Sequence, residues 1–233
     1  MDEPIVLTGR DMALLNLAHE QRFLCYSQIR AAFWKENSED AKACWHRVER
    51  LIKEGYLRKE YTGRKKLNLY LSTEKAVREL AAKSLDQGIP PFVMKPYYER
   101  CIEHDLNVTN VRILFRELGL HQWTSERVLW EREHQYNRPD AILTLRGRKI
   151  AIEFENGLTK SKVKYREMLE FYSSHEGYRL LFMVIKGDTR DWLVELEYDA
   201  RKIWLAGYKE LMDQREKTIF ENKRGVFELS RLL

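Results

Sequence analysis

Apolar residues recur at helical spacing three times in the first third of the chain, and a strictly alternating stretch follows them. The third helical segment is preceded by Ser38 as a predicted N-cap and is ended by Gly55. The alternation around Thr62-Gly63-Arg64 indicates two strands joined by a turn. The pattern predicts three helices, a hairpin and a further helix, over 11–19, 26–33, 38–54, 56–61 with 66–71, and 73–80.

The second half of the chain alternates between strand and helix patterns. Gln87-Gly88-Ile89-Pro90-Pro91 comes first and is a predicted linker, because prolines after a glycine cannot continue a helix. A helix over 97–118 is expected next, and Gly119 ends it. Strands are then predicted at 124–130, 141–145, 149–155, 180–185, 202–206 and 226–229, and helices at 160–172, 191–199 and 208–216.

These patterns predict two domains of different class. Residues 1–86 form the first, 87–96 a linker, and 97–233 the second. The first is expected to be α+β. The second is expected to be α/β, with a central mixed sheet, because strands that alternate with helices favour crossover connections.

Composition narrows the class of protein. The 233 residues carry a net charge of +5, and 44% are hydrophobic, so a packed core is expected. Three widely spaced cysteines are typical of reduced thiols in the cytoplasm, where we place the protein. The acidic start lacks the basic region of a signal peptide. The longest apolar run, 180–185, is far too short to cross a membrane.

Positive charge is concentrated on the third predicted helix and the hairpin. Between His46 and Lys66 there are eight Lys or Arg and three Glu, an excess of +5 that equals the charge of the whole chain. Three helices followed by a hairpin with a basic tip are typical of a winged helix-turn-helix, in which the third helix enters the DNA major groove and the hairpin contacts phosphate. The predicted DNA-binding residues are Trp45, His46, Arg47, Arg50, Arg64, Lys65 and Lys66.

Two alternatives to DNA binding stay open for this region. A run of charge is often only a solvated face, and winged helices also serve as protein docking modules. The basic tip favours double-stranded DNA, with phosphate contacts as the safer expectation. Protein partners in a replication or mobilisation complex and a homodimer are also compatible with the sequence.

Carboxylates occupy regular positions on two predicted neighbouring strands. Asp140 opens one strand, and Glu153 and Glu155 point to the same side of the next. The three could converge on Mg²⁺, which prefers oxygen ligands, and Glu155 could instead act as a general base that deprotonates water. The same alternation is also what a half-solvated hairpin shows. Spacing alone does not decide between these interpretations.

The carboxylate pattern resembles that of the PD-(D/E)xK nuclease superfamily. The matching residues are Pro139-Asp140 and, after a strand hairpin, Glu153-x-Glu155. The resemblance implies a restriction-endonuclease-like fold and metal-dependent hydrolysis of DNA. The chain departs from the pattern at its last position, where Glu155 stands in place of lysine. Lys162 or Lys164, on the helix that follows, would then supply the displaced cation, so the expected catalytic set is Asp140, Glu153, Glu155, Lys162 and Lys164.

Over most of its length the chain is similar to the replication-relaxation family of plasmid and mobile-element proteins. The matching stretches are short: His104-Asp-Leu-Asn107-Val, Arg138-Pro139-Asp140, Ile152-Glu153-Phe-Glu155-Asn-Gly157-Leu-Thr159, and Lys164-Tyr165. The resemblance implies a DNA-binding role in plasmid replication, relaxation or transfer. It leaves open whether the protein is a Mg²⁺-dependent endonuclease or a non-catalytic accessory or regulator.

Overall fold

A computed structural model describes residues 5–34, 38–63, 65–132, 138–157, 160–187, 190–196 and 198–233. The chain forms two compact units, Met1–Ile113 and Leu114–Leu233, here called the N-terminal and C-terminal units. Both combine helices with a β-sheet, so the fold is mixed α and β. No helix in the described part of the chain is long and apolar enough to cross a membrane.

The N-terminal unit contains five helices and three strands in its described residues. A 3-10 turn, Pro96–Arg100, precedes the last helix, which continues into the C-terminal unit. The sheet has the order β1-β3-β2 and is antiparallel throughout. The elements are α1 (Gly9–Glu20), β1 (Leu24–Cys25), α2 (Tyr26–Phe33), α3 (Ser38–Lys53), β2 (Leu57–Thr62), β3 (Leu67–Ser72), α4 (Glu74–Ala81) and α5 (Ile102–Glu117).

Local sequence signals account for these boundaries. Thr8 caps α1 reciprocally with Asp11, because each side chain accepts a hydrogen bond from the other residue's backbone N–H. Gly55 follows α3 with φ of 76°, a left-handed conformation that glycine adopts without steric cost. Thr73 caps α4 by accepting from the backbone N–H of Ala76 at 3.3 Å. The predicted helix and hairpin bounds of this region are confirmed within about two residues.

The segment 87–96, predicted as a linker, contributes to the core of the N-terminal unit. Ile89 and Phe92 are buried, and Phe92 packs in a cluster with Phe23 and Leu71. The backbone carbonyl of Phe92 also accepts a hydrogen bond from Arg58 Nη2 at 2.9 Å. The compact unit extends to Ile113 and includes this proline-rich stretch, of which Ile89 and Phe92 are buried while Val93 is exposed.

The C-terminal unit is built on a seven-stranded mixed sheet of order β10-β9-β8-β7-β6-β5-β4. The central strands β6, β7 and β8 are parallel, and the others pair antiparallel. 3-10 turns lie at Arg215–Lys217 and Leu229–Leu232. The elements are β4 (Trp123–Ser125), α6 (Glu126–Arg132), β5 (Ala141–Leu145), β6 (Arg148–Glu155), α7 (Lys162–Ser174), β7 (Leu180–Ile185), α8 (Arg190–Val194), β8 (Ile203–Gly207), α9 (Tyr208–Gln214), β9 (Ile219–Asn222) and β10 (Gly225–Glu228).

One predicted strand of this unit is wrong. Residues 124–130 were expected to be extended, but β4 ends at Ser125 and α6 begins at Glu126. The buried residues Ser125, Val128 and Leu129 are three and four positions apart, which is helical spacing. The β-branched and aromatic residues of this segment favour a strand locally, and the burial of one helical face overrides that preference.

Candidate nucleic-acid interface and carboxylate cluster

Helix α3 buries one side and exposes a line of polar and cationic residues on the other. Cys44, Val48 and Leu51 are fully buried in the core of the N-terminal unit. The exposed positions recur every three or four residues and therefore share one side of the helix. We call this line the α3 face and define it as Lys42, Trp45, His46, Arg50 and Lys53, all exposed.

Trp45 lies on the α3 face with 44% of its surface exposed. Its ring meets Tyr26 edge-on, with 5.8 Å between the ring centroids. Lys59 of β2 places its Nζ 5.8 Å from the Trp45 ring centroid and 4.0 Å from Glu49 Oε1. The α3 face and the β2–β3 hairpin thus meet at Trp45, whose ring is contacted by Tyr26 and Lys59 while part of its surface stays exposed.

Arg47 makes contacts within the unit, although the sequence groups it with the DNA-binding residues. Its Nε donates to Asp11 Oδ1 at 2.8 Å. Its Nη2 donates to Asp11 Oδ2 at 2.5 Å and to the carbonyl of Val6 at 2.8 Å. Asp11 is only 1% exposed. Burial alone would raise the pKa of Asp11, but the hydrogen bonds from Arg47 and Thr8 outweigh it and lower the pKa. Arg47 therefore attaches α3 to the start of α1.

The tip of the hairpin presents two described cations. Lys65 and Lys66 are both exposed, and Lys66 has φ of 49°. Lys65 Nζ lies 2.5 Å from Glu103 Oε2 in an ion pair whose side chains are each 40% exposed, which leaves solvent access to the ammonium group. Arg64, the third predicted tip residue, lies outside the described residues. The described part of the tip is thus basic and accessible.

The C-terminal unit brings the predicted carboxylates together at the end of β6. Ala141 pairs with Ile152, so Asp140 comes beside Glu153 on the neighbouring strand. The backbone N–H of Phe154 donates to Asp140 Oδ2 at 2.7 Å and fixes that carboxylate. Glu153 and Glu155 lie two residues apart and therefore on the same side of the strand. Both are buried.

Each buried glutamate has its own partners. Tyr172 donates to Glu153. Burial, and next the charge of Asp140, raise the pKa of Glu153 well above its usual value, against the opposing effects of Tyr172 and Lys160. Glu155 forms an ion pair with Lys160 and accepts from the Tyr165 hydroxyl at 3.0 Å. The cluster therefore contains a carboxylate that favours protonation and one that is neutralised by a cation.

Lys160 is the cation that lies beside the carboxylates, whereas the sequence predicted Lys162 or Lys164 in that role. The latter two are exposed on α7; Lys162 Nζ lies 5.5 Å from the centroid of the Trp192 ring. Burial alone would lower the pKa of Lys160, but the charge of Glu155 and its hydrogen bond outweigh this and raise it. The sequence feature that could have indicated Lys160 is Gly157, in the short connection between Glu155 and Lys160. Gly157 has φ of 120°.

Of the three predicted metal ligands, Glu155 is already paired with a cation of the protein, which leaves at most Asp140 and Glu153 to share a metal ion. In the described residues, no group of three His, Cys, Asp or Glu side chains is arranged to hold a metal ion. Glu155 is engaged by Lys160 and Tyr165. Asp140 accepts from the Phe154 N–H and Glu153 accepts from Tyr172; Mg²⁺ is commonly held by one or two carboxylates together with water and substrate phosphate.

Comparison of the chain with protein-family models, curated proteins and solved structures found no match. The similarity to the replication-relaxation family therefore stays a prediction that depends on short motifs. Two residues of those motifs, Asp140 and Glu153, are neighbours across β5 and β6 and interact through their charges.

Proposed function

We propose that this protein binds double-stranded DNA through the α3 face and the β2–β3 hairpin. In this proposal the N-terminal unit is a winged helix-turn-helix: α2 and α3 form the helix pair, and the hairpin is the wing. The order of three helices and an antiparallel hairpin supports it, as does β1, which pairs with β3. Helix α3 would lie in the major groove, and Lys65 and Lys66 would contact phosphate.

The α3 face is the observation that carries this proposal. The face combines an accessible aromatic ring with several cations on one side of a single helix, a combination that suits contacts to a polyanion. Here Trp45 is exposed between Lys42 and Arg50, and His46 lies beside it. Lysine and arginine on such a face attract phosphates, and Arg50 and His46 carry hydrogen-bond donors that can reach base edges.

DNA binding is tested by fluorescence anisotropy with labelled duplex DNA at fixed salt. Replacing Arg50 with Ala should lower the affinity roughly tenfold, since a contact to a base or phosphate is typically worth 1–3 kcal/mol. The matched control is Lys83→Ala, an exposed lysine outside α3 and the hairpin. Equal affinities for wild type and both variants would refute binding through the α3 face.

A second candidate function is hydrolysis of a DNA phosphodiester at the carboxylate cluster. Glu153 is buried and the half-buried Asp140 lies beside it; burial, and next the charge of Asp140, raise the pKa of Glu153, as in many active sites. Mg²⁺ bound to these two carboxylates would offset charge on the phosphate and supply Lewis acidity. Lys160 would hold a phosphate oxygen, and Tyr172 and Tyr165 would orient the two glutamates.

Nicking of supercoiled plasmid in Mg²⁺ or Mn²⁺ tests this candidate. Asp140→Asn keeps an oxygen acceptor for the Phe154 N–H but removes the charge, so it should abolish nicking without loss of the fold. Asp191→Asn, an exposed position on α8, is the matched control and should nick like wild type. Duplex binding without nicking by wild type would instead support a non-catalytic accessory protein. For either activity, the resemblance in the short motifs implies a role in plasmid replication, relaxation or transfer.

A further inference from the structure

A cationic pocket of about 770 Å³ lies within the C-terminal unit, apart from the carboxylate cluster. It is formed where the β5–β6 turn meets the beginnings of the parallel strands β7 and β8 and the C-terminal 3-10 turn. Its lining residues, which define the arginine pocket, are Leu145, Arg146, Arg148, Ile150, Arg179, Leu180, Asp199, Arg201, Lys202, Arg231 and Leu232. Six of these are cationic and one is acidic.

Two of the six cations have partners within the protein. Arg201 pairs with Asp199, with 2.9 Å between Nε and Oδ1, and Lys202 Nζ donates to the carbonyl oxygens of Ser173 and His175 near the end of α7. The only acid of the pocket is therefore used by Arg201. The remaining cations are four arginines that have no ion-pair or hydrogen-bond partner for their guanidinium groups in the described residues: Arg146, Arg148, Arg179 and Arg231.

The backbone brings these arginines together. Arg146 and Gly147 have φ of 50° and 74°, which is the geometry of a two-residue hairpin turn, and Arg148 follows at the start of β6. The backbone N–H of Arg179 donates to the carbonyl of Lys149 at 2.8 Å, which holds Arg179 next to β6. Like charges gathered in this way repel one another, and a bound anion relieves that repulsion.

We propose that the arginine pocket binds the phosphate groups of a nucleotide. Each guanidinium group can donate two parallel hydrogen bonds to phosphate oxygens. Four such groups therefore suit a ligand with more than one phosphate, or one phosphate held from several sides. The volume is within the range of small-molecule sites. Ile150 is buried and Leu145, Leu180 and Leu232 are half-buried, and they supply an apolar surface for the base or sugar.

This site is separate from the carboxylate cluster. Arg148 begins β6 and Glu155 ends it, so the two sites lie toward opposite ends of one strand, about 23 Å apart along it. Nucleotide binding in the arginine pocket therefore requires neither the DNA contacts of α3 nor hydrolysis at Asp140 and Glu153.

Calorimetric titration of the full chain with dATP in the presence of EDTA tests the proposal. Wild type should bind, and the double variant Arg148→Ala/Arg179→Ala should bind at least roughly tenfold more weakly, because each lost guanidinium removes charge-assisted hydrogen bonds. Both side chains are exposed, so the variant should keep the circular dichroism spectrum of wild type. The matched control, Arg224→Ala, is an exposed arginine outside the pocket and should bind like wild type.

Parallel titrations identify the source of the phosphate. Trinucleotides with a 5′-phosphate and with a 5′-hydroxyl are compared with dATP. Preference for dATP indicates a free nucleotide, and preference for the 5′-phosphorylated trinucleotide indicates a strand end; both support the proposal. Absence of binding by all three ligands at millimolar concentration would overturn it. So would equal dATP affinities for wild type and the double variant.

Discussion

The α3 face and the carboxylate cluster use charged side chains in opposite ways. The cations of the α3 face are exposed, and Cys44, Val48 and Leu51 on the other side of the helix are buried. In the cluster, Glu153 and Glu155 are buried and are contacted by tyrosines and a lysine of the same unit. Exposed charge is available to a partner, whereas buried charge must be satisfied within the fold. Exposure thus distinguishes residues that can recognise a ligand from residues that shape a site.

Arg47 shows why this comparison matters within a single helix. It lies between His46 and Arg50 in the sequence, but its guanidinium contacts the buried carboxylate of Asp11. By its contacts it resembles Lys160, which pairs with Glu155. A basic residue in the helix proposed to bind DNA can therefore contribute to stability rather than to binding.

The largest predicted effect is the loss of stability in Arg47→Ala. Removing one partner leaves the Asp11 charge buried, so the free energy of unfolding should fall by about 3 kcal/mol. The pKa of Asp11 is below its usual value of 3.8. The ionised Asp11 therefore stabilises the fold above pH 3.8, and this stabilisation is lost as the pH falls through the lowered pKa. In the variant this loss on acidification should be smaller.

Urea unfolding of Arg47→Ala and wild type at neutral and acidic pH measures both effects. Lys42→Ala is the matched control, because Lys42 is exposed on the same helix, and its unfolding free energy should stay within about 0.5 kcal/mol of wild type. Equal stability of Arg47→Ala and Lys42→Ala would contradict the distinction between the two kinds of charge.

A smaller loss is expected for Lys160→Ala. The variant leaves Glu155, which is 1% exposed, with the Tyr165 hydroxyl but without its cation. The free energy of unfolding should fall by about 2 kcal/mol, the scale for a buried charged group that loses a partner. Lys164→Ala, exposed on α7, should be neutral in the same urea titration. If both variants had the same stability, Lys160 would not be the internal cation of the cluster.

Glu153→Gln should raise stability at neutral pH. The pKa of Glu153 is raised above its usual value of 4.5, so its favourable contribution is complete below that pH and is lost as the pH rises through the raised pKa. Glutamine has no charge to bury and still accepts from Tyr172, so a gain of roughly 1 kcal/mol is expected at pH 8, shrinking to zero at pH 4.

Thermal unfolding of the Glu153→Gln variant across this pH range checks the expectation. Glu167→Gln, an exposed glutamate on α7, serves as the control and should show no such pH-dependent gain. A destabilised Glu153→Gln at pH 8 would show that the Glu153 carboxylate is ionised and favourably paired in the fold.

Strong periodicity made the framework predictable from sequence. Helix α3 and the two hairpin strands follow clear helical and alternating patterns, and the β7 strand at Leu180–Ile185 was predicted with its observed bounds. β1 and β9 were not predicted; β1 has only two residues, which carry too little pattern. Residues 124–130 were given the wrong structure, because their strand propensity conflicts with the burial of a helical face.

The candidate sites were predictable only in part. The alternation along β6 correctly placed Glu153 and Glu155 on one side of the strand, with Asp140 beside Glu153. The partners of these groups depend on tertiary contacts: nothing in the local pattern of α3 directs Arg47 to Asp11, and Lys160 reaches Glu155 through the turn at Gly157. The arginine pocket gathers residues from four distant segments, which no local pattern reveals.

The salt dependence of duplex DNA affinity tests the central proposal most directly. If the α3 face and the hairpin bind phosphate, log K should fall linearly with log[salt], and Lys42→Ala and Lys66→Ala should each reduce the slope by about 1, because each phosphate contact releases about one counterion. Lys83→Ala should leave the slope unchanged. An affinity that does not fall with salt, or a slope that is the same in all four proteins, would contradict the proposal.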